Sequence, residues 1–219
     1  MKVYINNELT TKLPDFDIIA NLLDVTVRDS DMVELVIHQV EQEIIKQYTL
    51  EEVLTIPLIK QARDAYKKLG KDPSRYRLAV ESLLRRLVKG NLLYRINNVV
   101  DIGNILSIKT LRSVCVADAD KISGDVSVRI GTSEDVYEGI NRGILNIENI
   151  PVYQDDVSAF GTTTSDSPRT AITNQTTRVL VMIICFGHEY KEENKVLLKQ
   201  LYSSYASSKK IIDLEVIRK

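Results

Sequence analysis

Apolar side chains recur at helical spacing in four segments of the chain, and this periodicity predicts four amphipathic helices. The predicted helices cover residues 31–48, 57–69, 78–89 and 189–206. Asp31 and Glu34 form a capping-box pattern, so Asp31 is the expected N-cap of the first helix. Pro57 is typical of a first helical turn, and Gly70 and Gly90 are typical of helix ends.

Shorter apolar runs between turn residues predict strands over residues 2–5, 16–27, 126–130, 147–153, 157–160, 178–186 and 211–217. The run 178–186 is continuous and rich in Val and Ile, as in a strand that is covered on both faces. Helices come first, strands next, and a helix and a strand last, which favours α+β over alternating α/β. Because no repeat or linker divides the chain, we predict a single compact domain over residues 1–219.

Four polar side chains interrupt the apolar segment 96–104, namely Asn97, Asn98, Asp101 and Asn104. A helix would place Asn97, Asp101 and Asn104 on one face, since they stand at i, i+4 and i+7. Buried amides and carboxylates need hydrogen-bond partners, because each unsatisfied group costs about 1–3 kcal/mol. Two interpretations follow. Either these side chains line a ligand cleft, or Asn97 or Asn98 caps the helix while Asp101 holds a neighbouring loop.

The overall charge gives no general attraction to nucleic acid. The formal net charge is −1 and the isoelectric point is about 6.2, so no positive field surrounds the whole protein. Hydrophobic residues make up 44% and charged residues 27%, which is ordinary for a soluble globular protein. DNA is therefore not an expected partner, although a local basic patch is compatible with these numbers.

The remaining composition indicates a cytoplasmic protein without a cofactor. The first ten residues lack the apolar core of a signal peptide, and the uncharged apolar run 179–186 is too short to cross a bilayer. Two cysteines provide no disulfide framework, and two histidines and two cysteines without close spacing provide no recognisable metal site. No glycine-rich dinucleotide or phosphate-binding motif is present.

Four short motifs follow one another over residues 81–130. They are Arg86-Leu87, the segment 96–104, Asp118-Ala119-Asp120-Lys121-Ile122 and Val126-Ser127-Val128-Arg129. In this order and spacing they resemble the editing module of the bacterial phenylalanyl-tRNA synthetase beta subunit, and a weaker resemblance continues over residues 131–186. A synthetase catalytic domain does not fit into 219 residues, so the resemblance implies a free-standing relative of the editing module.

The resemblance implies a fold in which N-terminal helices pack on a mainly antiparallel or mixed sheet. It also implies a function linked to aminoacyl-tRNA, with hydrolysis of mischarged aminoacyl-tRNA in trans as the first hypothesis. The expected partner is a tRNA acceptor end or an aminoacyl-adenosine-like ligand. The alternative is a non-catalytic module that binds tRNA or an amino-acid-like small molecule, and a third hypothesis is an interaction subunit with a vestigial cleft.

The resemblance also implies which residues form the site. The expected substrate-binding residues are Asn97, Asn98, Asp101, Asn104, Ser165, Asp166 and Arg169. Residues 165–170 form a polar loop, and the alternative is that this loop is mobile surface. The expected RNA-contacting residues are Arg77, Arg85, Arg86 and Lys89, which belong to the densest basic stretch of the chain. The alternative for these cations is a solvated helix face.

Three positions depart from the family pattern. Cys115 stands where the synthetases have a histidine, and Met182 stands where they have a glutamate. Neither side chain keeps an imidazole or a carboxylate, so the catalytic residues are not assigned from the resemblance. A Cys115 nucleophile would need a base such as His38 or His188, and a structural cysteine is the simpler interpretation. Gly103 replaces a threonine and allows close backbone approach, either at a pocket or in helix packing.

Overall fold

The computed structural model describes all residues 1–219 and contains seven helices and eleven strands. The helices are α1 (Asn7–Lys12), α2 (Asp31–Gln47), α3 (Leu50–Val53), α4 (Pro57–Leu69), α5 (Ala79–Val88), α6 (Asn98–Thr110) and α7 (Lys191–Tyr205). The strands are β1 (Val3–Ile5), β2 (Asp17–Asp24), β3 (Val114–Asp118), β4 (Val126–Ile130), β5 (Glu138–Gly139), β6 (Gly143–Ile144), β7 (Pro151–Gln154), β8 (Ala159–Thr162), β9 (Arg178–Cys185), β10 (Ile211–Asp213) and β11 (Val216–Arg218).

The helix ends follow local sequence signals. The predicted N-cap Asp31 is wrong by one residue, because the Ser30 side chain accepts the hydrogen bond from the Val33 N–H and Asp31 is already helical. A hydroxyl with extended backbone is as good a cap as a carboxylate, and the acidic Asp31 then favours the positive end of the helix dipole. Helix α4 begins at Pro57 and ends before Gly70, whose φ of +91° suits a residue without a side chain.

A four-stranded antiparallel sheet has the order β10-β2-β9-β3. Its strand β9 lies between β2 and β3, and every residue of β9 except Arg178 is buried. The prediction of a strand covered on both faces is confirmed. Because β3 pairs only with β9, its other edge is free to contact the segment that follows β8.

A second, five-stranded sheet has the order β11-β1-β4-β7-β8. Strand β1 runs parallel to both β11 and β4, whereas β4, β7 and β8 are joined by antiparallel pairing. A two-stranded hairpin of β5 and β6 stands apart from both sheets. Mixed and antiparallel sheets combined with seven helices confirm the predicted α+β fold class.

Helix α6 is the central helix of the structure. It contacts α2, α5, α7 and β3, and ten of its thirteen residues are buried. A methyl group placed on Gly103 would lie 2.5 Å from the Val116 side chain on β3, so Gly103 permits close packing of α6 on the sheet. Of the two roles considered for Gly103, the packing role is the one seen. The core itself is one continuous cluster of 55 buried apolar residues.

Several predicted strands differ from the observed ones. The predicted strand 211–217 is two strands, β10 and β11, which belong to different sheets. The Leu214 N–H still bonds the Ala20 carbonyl of β2, whereas the Glu215 carbonyl accepts from the Val3 N–H of β1. The predicted strands 147–153 and 157–160 are shifted to β7 and β8. Helices α1 and α3 and strands β5 and β6 were not predicted, since each is too short to show a periodic pattern. Strand β3 was also not predicted, because its Val-Cys-Val-Ala run shows no alternation of apolar and polar residues.

None of the seven helices combines the length and the apolar character that a bilayer span requires.

Candidate functional site

A polar cavity of about 240 Å³ lies between α5, α6 and the segment that follows β8, and we refer to it as the inner pocket. Its lining residues are Ala79, Ser82, Leu83, Asn104, Ser107, Val114, Arg142, Thr162, Thr164, Ser165 and Asp166. Three residues predicted from the sequence, Asn104, Ser165 and Asp166, therefore come together here from segments sixty residues apart along the chain. Hydroxyl, amide and carboxyl groups converge on this space.

The segment that carries Ser165 and Asp166 is held firmly by hydrogen bonds. The Thr162 hydroxyl oxygen accepts from the N–H groups of Thr164 (3.1 Å) and Ser165 (3.0 Å). The Ser165 carbonyl accepts from the Tyr137 hydroxyl at 2.7 Å. The Asp166 carbonyl accepts from the Ile140 N–H at 2.9 Å. The alternative of a mobile surface loop therefore does not describe this part of the segment, and its side chains are preorganised.

The Asn104 amide is available for a ligand. It is half-buried in the wall of the inner pocket, and its side chain makes no hydrogen bond within the protein. The neighbouring amides differ in this respect, since Asn97 and Asn98 both have protein partners. A polar group that faces a cavity without a protein partner is bound either by water or by a ligand.

The Asp166 carboxyl lies against the Cys115 thiol. Burial raises the pKa of Asp166 to about 7, while the nearby Cys115 thiol and Val116 N–H act in the opposite direction. Burial and the neighbouring carboxyl raise the pKa of Cys115 well above its ordinary value. The thiol is therefore neutral at physiological pH, which makes it a poor nucleophile and a hydrogen-bond donor to Asp166.

A larger cavity of about 750 Å³ opens beside the inner pocket, and we refer to it as the outer pocket. The two cavities share Ser82, Leu83, Asn104, Arg142 and Ser165. The outer-pocket residues that do not line the inner pocket are mostly apolar or aromatic, namely Arg86, Leu93, Tyr94, Ile96, Ile140 and Asn141. The volume is in the range of small-molecule sites.

Tyr94 is the aromatic residue of the outer pocket, and it is 67% exposed. The guanidinium of Arg86 lies over this ring, 3.9 Å from its centre. Arg86 also donates to the Leu92 carbonyl at 2.6 Å, which fixes the guanidinium in place. An exposed ring stacked with a cation resembles the platforms on which proteins stack nucleobases.

A groove without apolar residues adjoins these cavities on α5, and we refer to it as the basic groove. It is lined by Arg77, Ser82, Arg85, Arg86, Lys89 and Asn91, so all four cations predicted to contact RNA line one surface. Arg77 and Lys89 are exposed and form no ion pair. Arg85 lies 4.0 Å from Glu81, whose carboxylate binds Arg63 more closely at 2.8 Å. The basic groove meets the inner pocket at Ser82 and the outer pocket at Arg86.

The other three residues of the Asn-rich segment lie elsewhere. Asn97, Asn98 and Asp101 line a separate pocket together with acidic residues of the α2 start, so the expectation that all four share one cleft is not what the structure shows. Asn97 is the N-cap of α6 and accepts from the Val100 N–H at 3.0 Å. The Asn98 amide donates to the carbonyls of Thr26 (2.9 Å) and Tyr205 (3.0 Å). Asn97 therefore caps the helix, as in the alternative interpretation, whereas Asn98 joins α6 to two distant segments. A substrate contact of either amide stays a prediction.

Asp101 holds the chain at the start of α6. Its carboxylate accepts from the Ile96 N–H at 3.1 Å and so holds the segment before α6. Burial raises the pKa of Asp101 to about 6, against the opposing effects of this hydrogen bond and of Arg95. The carboxyl therefore belongs to the packing of the α6 start, away from the inner pocket.

Arg169 also lies outside the inner and outer pockets. Both of its terminal nitrogens bind the buried carboxylate of Asp155, at 2.8 and 3.1 Å, and they also donate to the carbonyls of Lys121 and Ser158. A bidentate pair with four hydrogen bonds uses most of the donors of the guanidinium. Arg169 thus joins two loops, and its predicted contact with a substrate stays a prediction.

Some lining residues were not predicted from the sequence. Arg142 and Ile140 come from the β5–β6 hairpin, a region without periodicity, and Ser82 and Ser107 are single hydroxyls within α5 and α6. The exposed Tyr94, between two predicted helices, is the one of these that a search for isolated aromatic residues in a basic stretch would have found.

The two positions at which the family pattern has histidine and glutamate are side by side. Cys115 on β3 and Met182 on β9 are register partners in the antiparallel pair. Cys115 is 1% exposed and Met182 is fully buried, and neither lines the inner pocket.

Comparisons with known proteins are consistent with this architecture. The family model described as B3/4 domain matches residues 61–213 of the chain. Among solved structures, the chain is similar to an N-terminal fragment of the phenylalanyl-tRNA synthetase beta-subunit from Pyrococcus horikoshii, with 12% identity and a TM-score of 0.56. That match covers 100% of this chain and 52% of the fragment, so the chain spans about half the length of its neighbour. No curated protein matches the sequence. The predicted relationship to the beta-subunit module is confirmed at the level of family and fold.

Proposed function

The chain belongs to the B3/4 domain family, and from that premise we propose that it hydrolyses the ester bond of an aminoacyl-tRNA, with the inner pocket as the reaction site. One observation carries the proposal. The inner pocket, the outer pocket and the basic groove are continuous through Ser82, Asn104 and Arg86, and they offer three different chemistries in sequence. The end of an aminoacyl-tRNA presents the same three chemistries, namely an ester, an apolar or aromatic portion and phosphates.

The basic groove is suited to the phosphate backbone. The groove has four cations, and two of them, Arg77 and Lys89, are exposed and form no ion pair. They provide local electrostatic attraction for phosphates in a protein whose net charge is −1. Phosphate contacts give affinity and orientation without reading the sequence of the nucleic acid. A nucleic acid bound here would have its end directed to the pockets, because the groove meets them at its Ser82 and Arg86 side.

The outer pocket is suited to the terminal nucleoside. The Tyr94 ring and the Arg86 guanidinium provide a stacking surface, and Ile96 and Ile140 add apolar walls. Stacking of a base on an aromatic side chain contributes about 1–3 kcal/mol. The ester that joins the ribose to the amino acid would then lie near Asn104 and Ser165, which border both cavities.

Hydrolysis of such an ester has a clear biological use. A binding pocket that excludes a near-isosteric amino acid discriminates only about 100-fold, and a second, hydrolytic site increases the accuracy. The structural neighbour is a fragment of a phenylalanyl-tRNA synthetase beta-subunit, which supports the link to aminoacyl-tRNA.

A second candidate function is a non-catalytic module that binds the same end of tRNA or an amino-acid-like molecule. The observation in its favour is the replacement of two family positions by the buried, non-basic side chains Cys115 and Met182. Such a module would use Asn104 and the basic groove in the same manner but would release no amino acid.

Release of amino acid from a panel of correctly and incorrectly charged tRNAs separates the two functions. The purified protein is expected to accelerate release from at least one member of the panel above the uncatalysed rate. If the protein binds charged tRNA but amino acid is released only at the uncatalysed rate, the non-catalytic module is established. If the protein neither binds nor hydrolyses any charged tRNA of the panel, hydrolysis and tRNA binding are both overturned, and binding of an amino-acid-like molecule is the function left to test.

A further inference from the structure

The inner pocket contains a single group that can take up a proton near neutral pH. Among its lining residues, Asp166 is the one carboxylic acid, and no histidine, lysine, cysteine or tyrosine lines the cavity. The remaining polar groups are hydroxyls, amides and the guanidinium of Arg142, none of which serves as a base without help. Any hydrolysis in this cavity that needs a base therefore depends on Asp166.

Asp166 is fixed in position from its main-chain side. It forms an isolated antiparallel bridge with Gly161, and its carbonyl accepts from the Ile140 N–H at 2.9 Å. A methyl group on Gly161 would lie 3.1 Å from a carboxyl oxygen of Asp166 and 3.4 Å from the Cys115 sulfur. The absence of a side chain at Gly161 thus makes room for the carboxyl and the thiol to pack together.

The carboxyl consequently has two sides. One side faces the Cys115 thiol and the Tyr153 ring, which are buried in the core, and the other borders the cavity beside Asn104 and Ser165. A group that is anchored from the protein interior and open to a polar cavity has the arrangement expected of an acid–base residue.

We infer that Asp166 is the catalytic base of the hydrolytic reaction and that Cys115 is a positioning residue that holds its carboxyl; this inference rests on the proposed function. The Asp166 carboxylate takes a proton from a water molecule while the water oxygen bonds to the ester carbonyl carbon. The tetrahedral intermediate then collapses, the bond from this carbon to the ribose oxygen breaks, and Asp166 returns the proton to that oxygen. Water and ester are consumed and a free amino acid and a ribose hydroxyl are formed, so atoms and charges balance.

The ionisation of the surrounding groups agrees with this role. Burial raises the pKa of Asp166 to about 7, so its carboxylate is a stronger base than an ordinary aspartate carboxylate. The titratable groups that face it are Cys115 from β3, Tyr153 from β7 and Tyr137 before β5, and burial raises the pKa of each of these groups. They stay neutral where Asp166 titrates. The Arg142 guanidinium, from the turn between β5 and β6, is the one cation in the cavity.

The role of Cys115 follows from the direction of its hydrogen bond. A thiol that donates to a carboxylate stabilises the charged form and lowers the carboxyl pKa. Cys115→Ser places a stronger donor at this position, so the rise of the rate with pH should shift to lower pH. Cys115→Ala removes the donor, so the rise should shift to higher pH. If Cys115 were purely structural, the pH–rate profiles of these two variants would not shift in opposite directions.

Single-turnover hydrolysis of a responsive charged tRNA between pH 5 and pH 9 tests the inference. Asp166→Asn is expected to lower the rate constant by at least about 100-fold with little change in the tRNA concentration at half saturation. The matched control is Asp156→Asn, which makes the same chemical change at an exposed carboxylate outside the inner and outer pockets and should react like the wild type.

Each outcome decides a separate question. Wild-type turnover with an unchanged Asp166→Asn rate would overturn the catalytic role and leave the proposed function standing. A variant that binds more weakly but reacts as fast at saturation would show that Asp166 instead binds the amino group of the substrate. Unshifted pH profiles for both Cys115 variants would overturn the positioning role. A wild-type protein without turnover on any charged tRNA would overturn this inference together with hydrolysis itself.

Discussion

Cys115 and Met182 are direct partners across β3 and β9, and both side chains are buried in the four-stranded sheet. The resemblance places a histidine and a glutamate of the synthetase module at these two positions, so both departures occur at one place in the fold. A thiol and a thioether fill this place as apolar groups. The Cys115 thiol lies against Asp166, the one carboxylic acid that lines the inner pocket.

Met182→Glu should destabilise the protein rather than restore a site. Met182 is fully buried and lines none of the pockets described above, so a carboxylate there would lose its water without gaining a partner. We expect the free energy of unfolding to fall by more than about 2 kcal/mol in urea titrations. The control is Met182→Leu, which should cost less than about 1.5 kcal/mol because it conserves volume. Equal losses in the two variants would contradict the buried placement.

Asn104→Ala should weaken ligand binding and leave the fold intact. The Asn104 amide has no partner within the protein, so its removal leaves no protein group unsatisfied. Loss of one hydrogen bond to a ligand corresponds to a roughly 10-fold larger dissociation constant. Binding of a non-hydrolysable aminoacyl-adenosine analogue measures this change. Asn174→Ala, at an exposed amide elsewhere, is the matched control. A large loss of thermal stability with unchanged affinity would return Asn104 to a structural role.

The basic groove should control the salt dependence of tRNA binding. Arg77→Ala and Lys89→Ala each remove an exposed cation without breaking an ion pair. Each is expected to reduce the slope of log affinity against log salt by roughly 1. The double variant Lys209→Ala/Lys210→Ala removes two exposed cations at a distant site and should keep the wild-type slope. Equal slopes for all variants would exclude the groove as the phosphate contact.

Asp166→Asn should become more stable than the wild type as the pH rises. In the folded protein the pKa of Asp166 is raised to about 7, whereas an unfolded aspartate titrates near 4. Between these values the folded state holds a proton that the unfolded state has released, so wild-type stability falls as the pH rises through this window. The asparagine variant does not titrate and escapes this loss.

Unfolding of both proteins in urea at pH 4 and pH 8 measures the effect. The variant should gain relative to the wild type by about 1.4 kcal/mol for each unit of pKa difference, and other titrating groups cancel in the comparison. Asp156→Asn should show no such gain. A stability difference that is the same at both pH values would contradict the raised pKa of Asp166. The same data show whether the variant used for kinetics is folded.

The sequence predicts well those elements whose pattern is long and local. Helix α4 is bounded by Pro57 and Gly70 as expected, and the Val- and Ile-rich β9 lies in the middle of a sheet. The predicted strand over 211–217 is wrong because its alternation continues through Leu214, where the chain passes from one sheet to the other. Only the pairing of β10 with β2 and of β11 with β1 separates the two parts.

The candidate site could be predicted in part for a similar reason. Asn104 and Asp166 were identified by residue type and resemblance, and the fold brings them to one cavity. Asn98 has the same chemistry, but its partners Thr26 and Tyr205 lie far away in the sequence, so its structural role is visible only after folding. Arg169 is similar, since the bidentate contact with Asp155 depends on how two loops meet.

The most direct test of the account is the release of amino acid from charged tRNA by the wild-type protein and by Asp166→Asn, side by side. The account predicts accelerated release from at least one charged tRNA by the wild type, and a loss of at least about 100-fold in the variant. Release at the uncatalysed rate by the wild-type protein on every charged tRNA would contradict the central claim that the inner pocket is a hydrolytic site.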